Sequence, residues 1–300
     1  MMGGRIKVRL IAAGLLVLGT SQTSALAETP VQRGSYLVNT IMACGNCHTP
    51  RDSQGKLIAE KALSGGLTFT TPAFTATAAN ITPDQETGIG MWTDDEIKRA
   101  LTTGLRPEHG HLAGSPLAAV MPANFYRGLL PADLDSIIVY LHSVKPVRNE
   151  VADPEYKLPV HRVPYPDAEQ GFSNASFSDP VTRGKYLVTI GHCMECHASW
   201  SRGVSDFTNG LGHGGRPFGP TLVHGFDPTW QGSIAANITS DPTGGIGSWT
   251  DDEISRAITK GIAQDGHQLK LPMAFSFYAG LADSDVRDIV AYLRTLPPFK

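Results

Sequence analysis

Cys44-Gly45-Asn46-Cys47-His48 and Cys193-Met194-Glu195-Cys196-His197 are one C-x-x-C-H pattern written twice, 149 residues apart, and together they hold all four cysteines of the chain. The surroundings repeat with them. Arg33-Gly34-Ser35-Tyr36-Leu37-Val38 returns as Arg183-Gly184-Lys185-Tyr186-Leu187-Val188, and Asn80-Ile81-Thr82 as Asn237-Ile238-Thr239. Gly88-Ile89-Gly90-Met91-Trp92-Thr93-Asp94-Asp95-Glu96-Ile97 returns as Gly245-Ile246-Gly247-Ser248-Trp249-Thr250-Asp251-Asp252-Glu253-Ile254. Met121 with Phe125-Tyr126 matches Met273 with Phe277-Tyr278, and the offset drifts only between 149 and 157 residues. Blocks kept in one order at one period mean a duplicated domain. A length of 300 residues has room for about two domains of ~150 residues. The division expected is residues 28–145 and 181–300. Between them, 146–180 is a linker, extended over the surface because Pro146, Pro154, Pro159, Pro164, Pro166 and Pro180 fix φ and remove donors.

Within each unit the local signals are helical. Thr93-x-x-Glu96 and Thr250-x-x-Glu253 are capping boxes, with Gly104 and Gly261 placed to end the helices they start. Leu134, Ile137, Ile138 and Leu141, and again Val286, Ile289, Val290 and Leu293, recur at spacings of three and four. Those helices should stop near Pro146 and Pro297. No run alternates long enough for a strand. The expected fold class is all-α, two tandem units with long loops.

C-x-x-C-H is the pattern of c-type haem attachment. Two thiols about one helical turn apart reach the two vinyl groups of one porphyrin, and the next residue is a histidine placed to ligate the iron. Cys44, Cys47, Cys193 and Cys196 would hold two haem c groups covalently, with His48 and His197 as axial ligands. A redox dithiol needs no trailing histidine. A single zinc site would have to join pairs that repeat in separate domains. A disulfide within so tight a loop is strained.

The repeat also selects the second axial ligand. Of seven methionines, Met1 and Met2 start the chain, Met42 and Met194 crowd the cysteines, and Met91 is matched by Ser248. Met121 and Met273 match each other and follow their histidines by 73 and 76 residues. A soft, neutral thioether favours ferrous iron, so His/Met ligation raises the potential. Filling both axial positions leaves none for substrate, which points to outer-sphere electron transfer and away from an enzyme. The alternative is a dihaem cytochrome c peroxidase, which needs one open or displaceable distal site. A cysteine-ligated dihaem enzyme would need a spare thiol.

Other residues carry two readings. Trp92 and Trp249 donate their indole N–H to a haem propionate, or they are core residues fixing the start of the following helix. Asn80 and Asn237 bind propionates or cap a turn. Arg33 and Arg183 pair with propionates or sit at exposed helix starts. Phe125 and Phe277 are expected as pocket walls, and His111 and His267 as exposed loop residues. The stretch from His197 to Asn237 is eight residues longer than its counterpart and rich in glycine, a candidate docking loop.

These motifs resemble the class I cytochrome c domains of multihaem cytochrome subunits that serve periplasmic or membrane-bound dehydrogenases of the alcohol, aldehyde and gluconate type. The resemblance covers nearly all of 33–145 and 183–299. It implies a haem-wrapping fold whose first and last helices cross, with Gly34 and Gly184 allowing the approach beside Tyr140 and Tyr292. It also implies a dehydrogenase as electron donor, an oxidase or another cytochrome as acceptor, and peripheral membrane association through such a complex. Family members with three haems and a C-terminal membrane segment are longer; two haem units are expected here.

Arg5, Lys7 and Arg9, an apolar run from Leu10 to Gly19, and Ala25-Leu26-Ala27 form a signal-peptide pattern over 1–27. The run is about half the ~20 residues that span a bilayer. Export to the periplasm is therefore expected. Cleavage would leave 22 Lys+Arg against 28 Asp+Glu, a mildly acidic surface with no basic footprint for nucleic acid.

Overall fold

The computed structural model describes residues 1–4 and 27–300, so most of the expected signal peptide lies outside the described residues. In the first half, α1 (Pro30–Asn39) leads into the short α2 (Cys44–His48), followed by α3 (Asp94–Thr103), α4 (Ala123–Tyr126) and α5 (Pro131–Ser143). Two strands lie between α2 and α3, β1 (Thr68–Thr70) and β2 (Phe74–Thr77). The intervening stretch carries β3 (Glu155–Tyr156) and α6 (Pro166–Gln170). The second half then repeats the helical order as α7 (Pro180–Ile190), α8 (Cys193–His197), α9 (Asp251–Lys260), α10 (Phe275–Tyr278) and α11 (Asp283–Leu293).

Local chemistry sets these boundaries. Thr93 and Thr250 close full capping boxes with Glu96 and Glu253, and Gly104 and Gly261 end their helices in left-handed backbone. Helices α1 and α5 cross closely, as do α7 and α11. A Cβ on Gly34 would lie 1.9 Å from the Ser136 carbonyl oxygen, and one on Gly184 would lie 1.8 Å from that of Asp288. Neither contact has room for a methyl group. Gly34→Ala must therefore part the helices, at a cost of roughly 3 kcal/mol; a chemical-denaturation midpoint equal to that of the unaltered protein would show the crossing to be looser than this.

The all-α expectation holds only for this framework. Short strands fill the loops. The order β3-β2-β1-β7 forms one antiparallel sheet, in which β7 (Val223–His224) comes from the second half. The remaining strands form two pairs, β4 (Ser199–Ser201) with β5 (Val204–Asp206) and β6 (Pro217–Phe218) with β8 (Ser233–Ile234). Thr68, Phe69, Thr70, Phe74, Thr75 and Thr77 are of the β-branched and aromatic types that suit a pleated surface, but runs of two to four residues are too short to announce a period of two.

The stretch 146–180 also departs from an extended surface run. Tyr165 is wholly buried, wedged between Phe125 and Phe207 at ring-centroid distances of 4.5 and 5.4 Å. The long loop of the second half turns inward too: Phe226 lies under the Arg51 guanidinium of the first half, 5.0 Å from ring centre to Arg51 Cζ. One apolar cluster accordingly runs through both halves, from Leu37 and Ile137 to Leu187 and Ile289.

A reciprocal polar lock joins the halves. Tyr36 on α1 donates its hydroxyl to Asp285 on α11 at 2.7 Å, and the matched Tyr186 on α7 donates to Asp133 on α5. Each hydroxyl also accepts a backbone N–H, from Ala282 and from Leu130. Arg33 grips Asp133 through two bonds of 2.8 and 2.9 Å, while Arg183 holds Asp285 and Asp288. Asp133 and Asp285 are buried. The propionate reading of these arginines gives way to this lock, because a buried carboxylate needs a partner. Tyr36→Phe or Tyr186→Phe leaves a buried carboxylate short of a donor and should cost about 1–3 kcal/mol.

Burial and Asp285 together push the Tyr36 hydroxyl up to about 12. Its proton is held more tightly in the folded state than in the unfolded one. The stabilisation is thus complete below about pH 10 and is lost as the pH rises toward 12. Denaturation midpoints across that alkaline range should fall less steeply in Tyr36→Phe than in the unaltered protein; parallel curves would contradict the bond.

Candidate cofactor site

Helices α2 and α8 open onto one cavity of about 2430 Å3, lined mainly by apolar side chains. Ordinary ligand pockets reach ~1,000 Å3, so this one has space for two large groups. Cys44, Cys47 and His48 line it from one half, and Cys193, Cys196 and His197 from the other. Met121 and Met273 line it as well, from the loops that precede α4 and α10.

The histidines are oriented alike. His48 Nδ1 lies 2.7 Å from the Ala79 carbonyl oxygen, and His197 Nδ1 lies 2.8 Å from that of Ala236. A carbonyl can only accept, so each Nδ1 carries the proton and each Nε2 keeps its lone pair for a metal. Burial lowers the pKa of both imidazoles, which favours the neutral, ligating form. Burial also pushes all four thiols up to about 12. Among the described residues no three His, Cys, Asp or Glu side chains converge as a metal shell.

Two arginines brace the attachment helices at matched places. Arg51 donates to the Asn46 carbonyl at 3.1 Å, and Arg216 donates to the Glu195 carbonyl at 2.7 Å. Arg216 is layered on Trp200 and Phe218, with its Cζ 4.3 and 5.1 Å from the ring centres. Its Nε is buried without a partner among the described residues, and the side chain lines the cavity. A donor in that state suits an anionic group such as a propionate. The paired thiols, the free Nε2 atoms and the two thioethers fit a haem c in each half, and the orphan donor adds to the fit in the second.

Trp92 and Trp249 both line the cavity, and neither indole N–H has a partner among the described residues. Asn80 and Asn237 take the turn alternative. Each accepts the N–H and hydroxyl of the threonine two residues on; Asn80 Nδ2 is spent on Thr87 and the Val147 carbonyl, and Asn237 Nδ2 on the Phe299 carbonyl. Phe125 is a cavity wall as expected, but Phe277 is not: it packs against the first attachment helix, where a Cβ on Gly45 would come within 3.0 Å of its ring. His111 and His267 are exposed, each beside an aspartate at 2.6 Å. Sequence reasoning missed Ala79 and Ala236. Their signal was present, since Asn-Ile-Thr repeats as the longer Ala-Ala-Asn-Ile-Thr.

Comparison with known proteins agrees with this geometry. Residues 181–297 match the cytochrome c family. The chain is 30% identical over 318 residues to the cytochrome c subunit of a quinone alcohol dehydrogenase from Gluconacetobacter polyoxogenes, covering 98% of this chain and 62% of that protein. It is 28% identical over 301 residues to the gluconate 2-dehydrogenase cytochrome c subunit of Pantoea cypripedii, covering 94% of this chain and 64% of the relative. A diheme cytochrome c-type protein of Cereibacter sphaeroides is 29% identical over 269 residues, covering 85% of this chain and 82% of the relative. This chain therefore contains a cytochrome c domain and is a relative of the cytochrome c subunits of dehydrogenases. It spans about three fifths of the length of the alcohol and gluconate dehydrogenase subunits it matches.

Proposed function

We propose that the chain is an exported dihaem c-type cytochrome that moves electrons by outer-sphere transfer in the periplasm, from a dehydrogenase to an oxidase or another cytochrome. The units are residues 28–145 and 181–300, with 146–180 strapping them together. The observation that carries the reading is the shared cavity, onto which both C-x-x-C-H helices and both matched methionines open. When bound, haem c supplies a one-electron couple. Of the chain's residues, the four cysteines would hold it covalently, His48 and His197 would offer Nε2 to the iron, and Met121 and Met273 would offer their thioether sulfurs. Apolar walls keep water from the sites, and two attachment helices on one cavity keep the inter-unit path short.

Stopped-flow mixing with a purified dehydrogenase of the alcohol, gluconate or fructose type, substrate present, tests the reading. Both haems should reduce, with no peroxide turnover and no high-spin iron. A high-spin haem with peroxide turnover would instead select the peroxidase alternative. Because the processed chain is acidic, a partner docking through a basic patch should react more slowly as ionic strength rises, by about tenfold or more between low and physiological salt. Rates unchanged by salt with every partner would remove charge steering from the account.

A further inference from the structure

We propose that Arg162, supplied by the stretch between the units, is a positioning residue for Met121: its guanidinium gathers the ligand loop and sets a positive charge against it. The proposal rests on Met121 being an iron ligand. Arg162 Nη2 donates to the carbonyls of Leu117 and Ala118 at 2.8 and 3.0 Å, and Nη1 donates to Ala119 at 3.2 Å and to Met121 itself. Four of the five carbonyls from residue 117 to residue 121 thus point at one planar cation. Only a rigid fork with several donors can hold such a set.

The slot for this side chain is built into the fold. Gly104, the left-handed residue that ends α3, faces the guanidinium, and a Cβ there would lie 2.6 Å from it. In the second half the matched Gly261 faces Gln268, whose neutral amide donates to the Gly261 carbonyl at 2.7 Å. The Met273 loop is held by neutral donors as well. Leu271 accepts from Trp230 at 3.2 Å and Ser233 at 2.7 Å, and Pro272 accepts from Asn46 at 3.0 Å. Among the described residues no carboxylate makes an ion pair with Arg162. The two methionine loops are therefore matched in sequence and held differently, one by a cation and the other by neutral donors.

Two consequences separate the fork from the charge. Fixing the loop makes Met121 hard to displace, and a nearby cation stabilises the reduced, less positive iron. In the intact dihaem protein, Arg162→Gln should let imidazole replace Met121 at about tenfold lower concentration, read at the ferric iron–thioether charge-transfer band. The potential of one haem should fall while the other stays in place; a tenfold change in ferrous preference corresponds to about 59 mV. Arg162→Lys keeps the charge and loses the fork, so it should weaken the grip on Met121 while retaining most of the potential. If Arg162→Gln fails to accumulate, the imidazole titration of Arg162→Lys decides alone. Variants that carry two haems yet match the unaltered protein in both measurements would overturn the proposal. Met121→Ala separates the two ideas: if it removes a band while the Arg162 variants change nothing, only the role of Arg162 fails. If it removes no band, the ligand assignment fails with it.

Discussion

Met121→Ala should abolish about half of the ferric iron–thioether absorption, Met273→Ala the other half, and the double variant all of it. The reasoning starts from softness: a thioether binds ferrous iron better than ferric, so its loss destabilises the reduced state. The affected haem should fall in potential by on the order of 0.1 V, a modest part of the ≈0.8 V that axial ligands command. Both methionines line the cavity; His111 and His267 line it too, but their side chains are exposed and lie 2.6 Å from Asp153 and Asp265. Absorption that survives a substitution would place the ligand elsewhere. Spectra of the two single variants recorded beside the unaltered protein decide it.

Replacing Cys193 and Cys196 together with serine should reduce the haem content from two per chain to one and unfold most of the second unit. Helix α8 is only five residues long and has no side-chain cap, so its order depends on what it is attached to. Its cavity cannot simply stay empty. If even a tenth of the 2430 Å3 remained as a void, ~24 cal/mol per Å3 gives a penalty of about 6 kcal/mol. That is comparable to the whole stability of a typical domain. The damage should spread, because Tyr36 and Asp133 of the first half are tied to Asp285 and Tyr186 of the second. Far-UV circular dichroism and limited proteolysis should report loss of α7–α11 and a weakened first half. A variant with one haem and undiminished stability would mean that the units fold independently of their cofactors.

Much of this architecture was legible because it is local or repeated. The capping boxes at Thr93 and Thr250, the helix-ending Gly104 and Gly261, and the periodic α5 and α11 need only neighbouring residues to be read. The repeat selected Met121 and Met273 because chance matches do not keep order. What escaped is non-local. Strand β7 pairs with β1 across 156 residues, from Thr68 to His224, and no local pattern announces it. Tyr165 reads as one aromatic among prolines until Phe125 and Phe207 close around it. Arg33 and Arg162 look equally free in the sequence, yet one neutralises a buried aspartate and the other collects carbonyls. Asn80 forms a turn with Thr82 for an ordinary reason: an Asx side chain satisfies its own backbone first.

The account stands on two porphyrins bound through thioether bonds to Cys44, Cys47, Cys193 and Cys196. Intact-mass spectrometry of protein matured in a host that attaches haem c, before and after extraction with acidified organic solvent, tests this most directly. The predicted result is a mass increased by two haems that extraction leaves unchanged. A mass showing no haem or only one, or colour that leaves with the solvent, would contradict it.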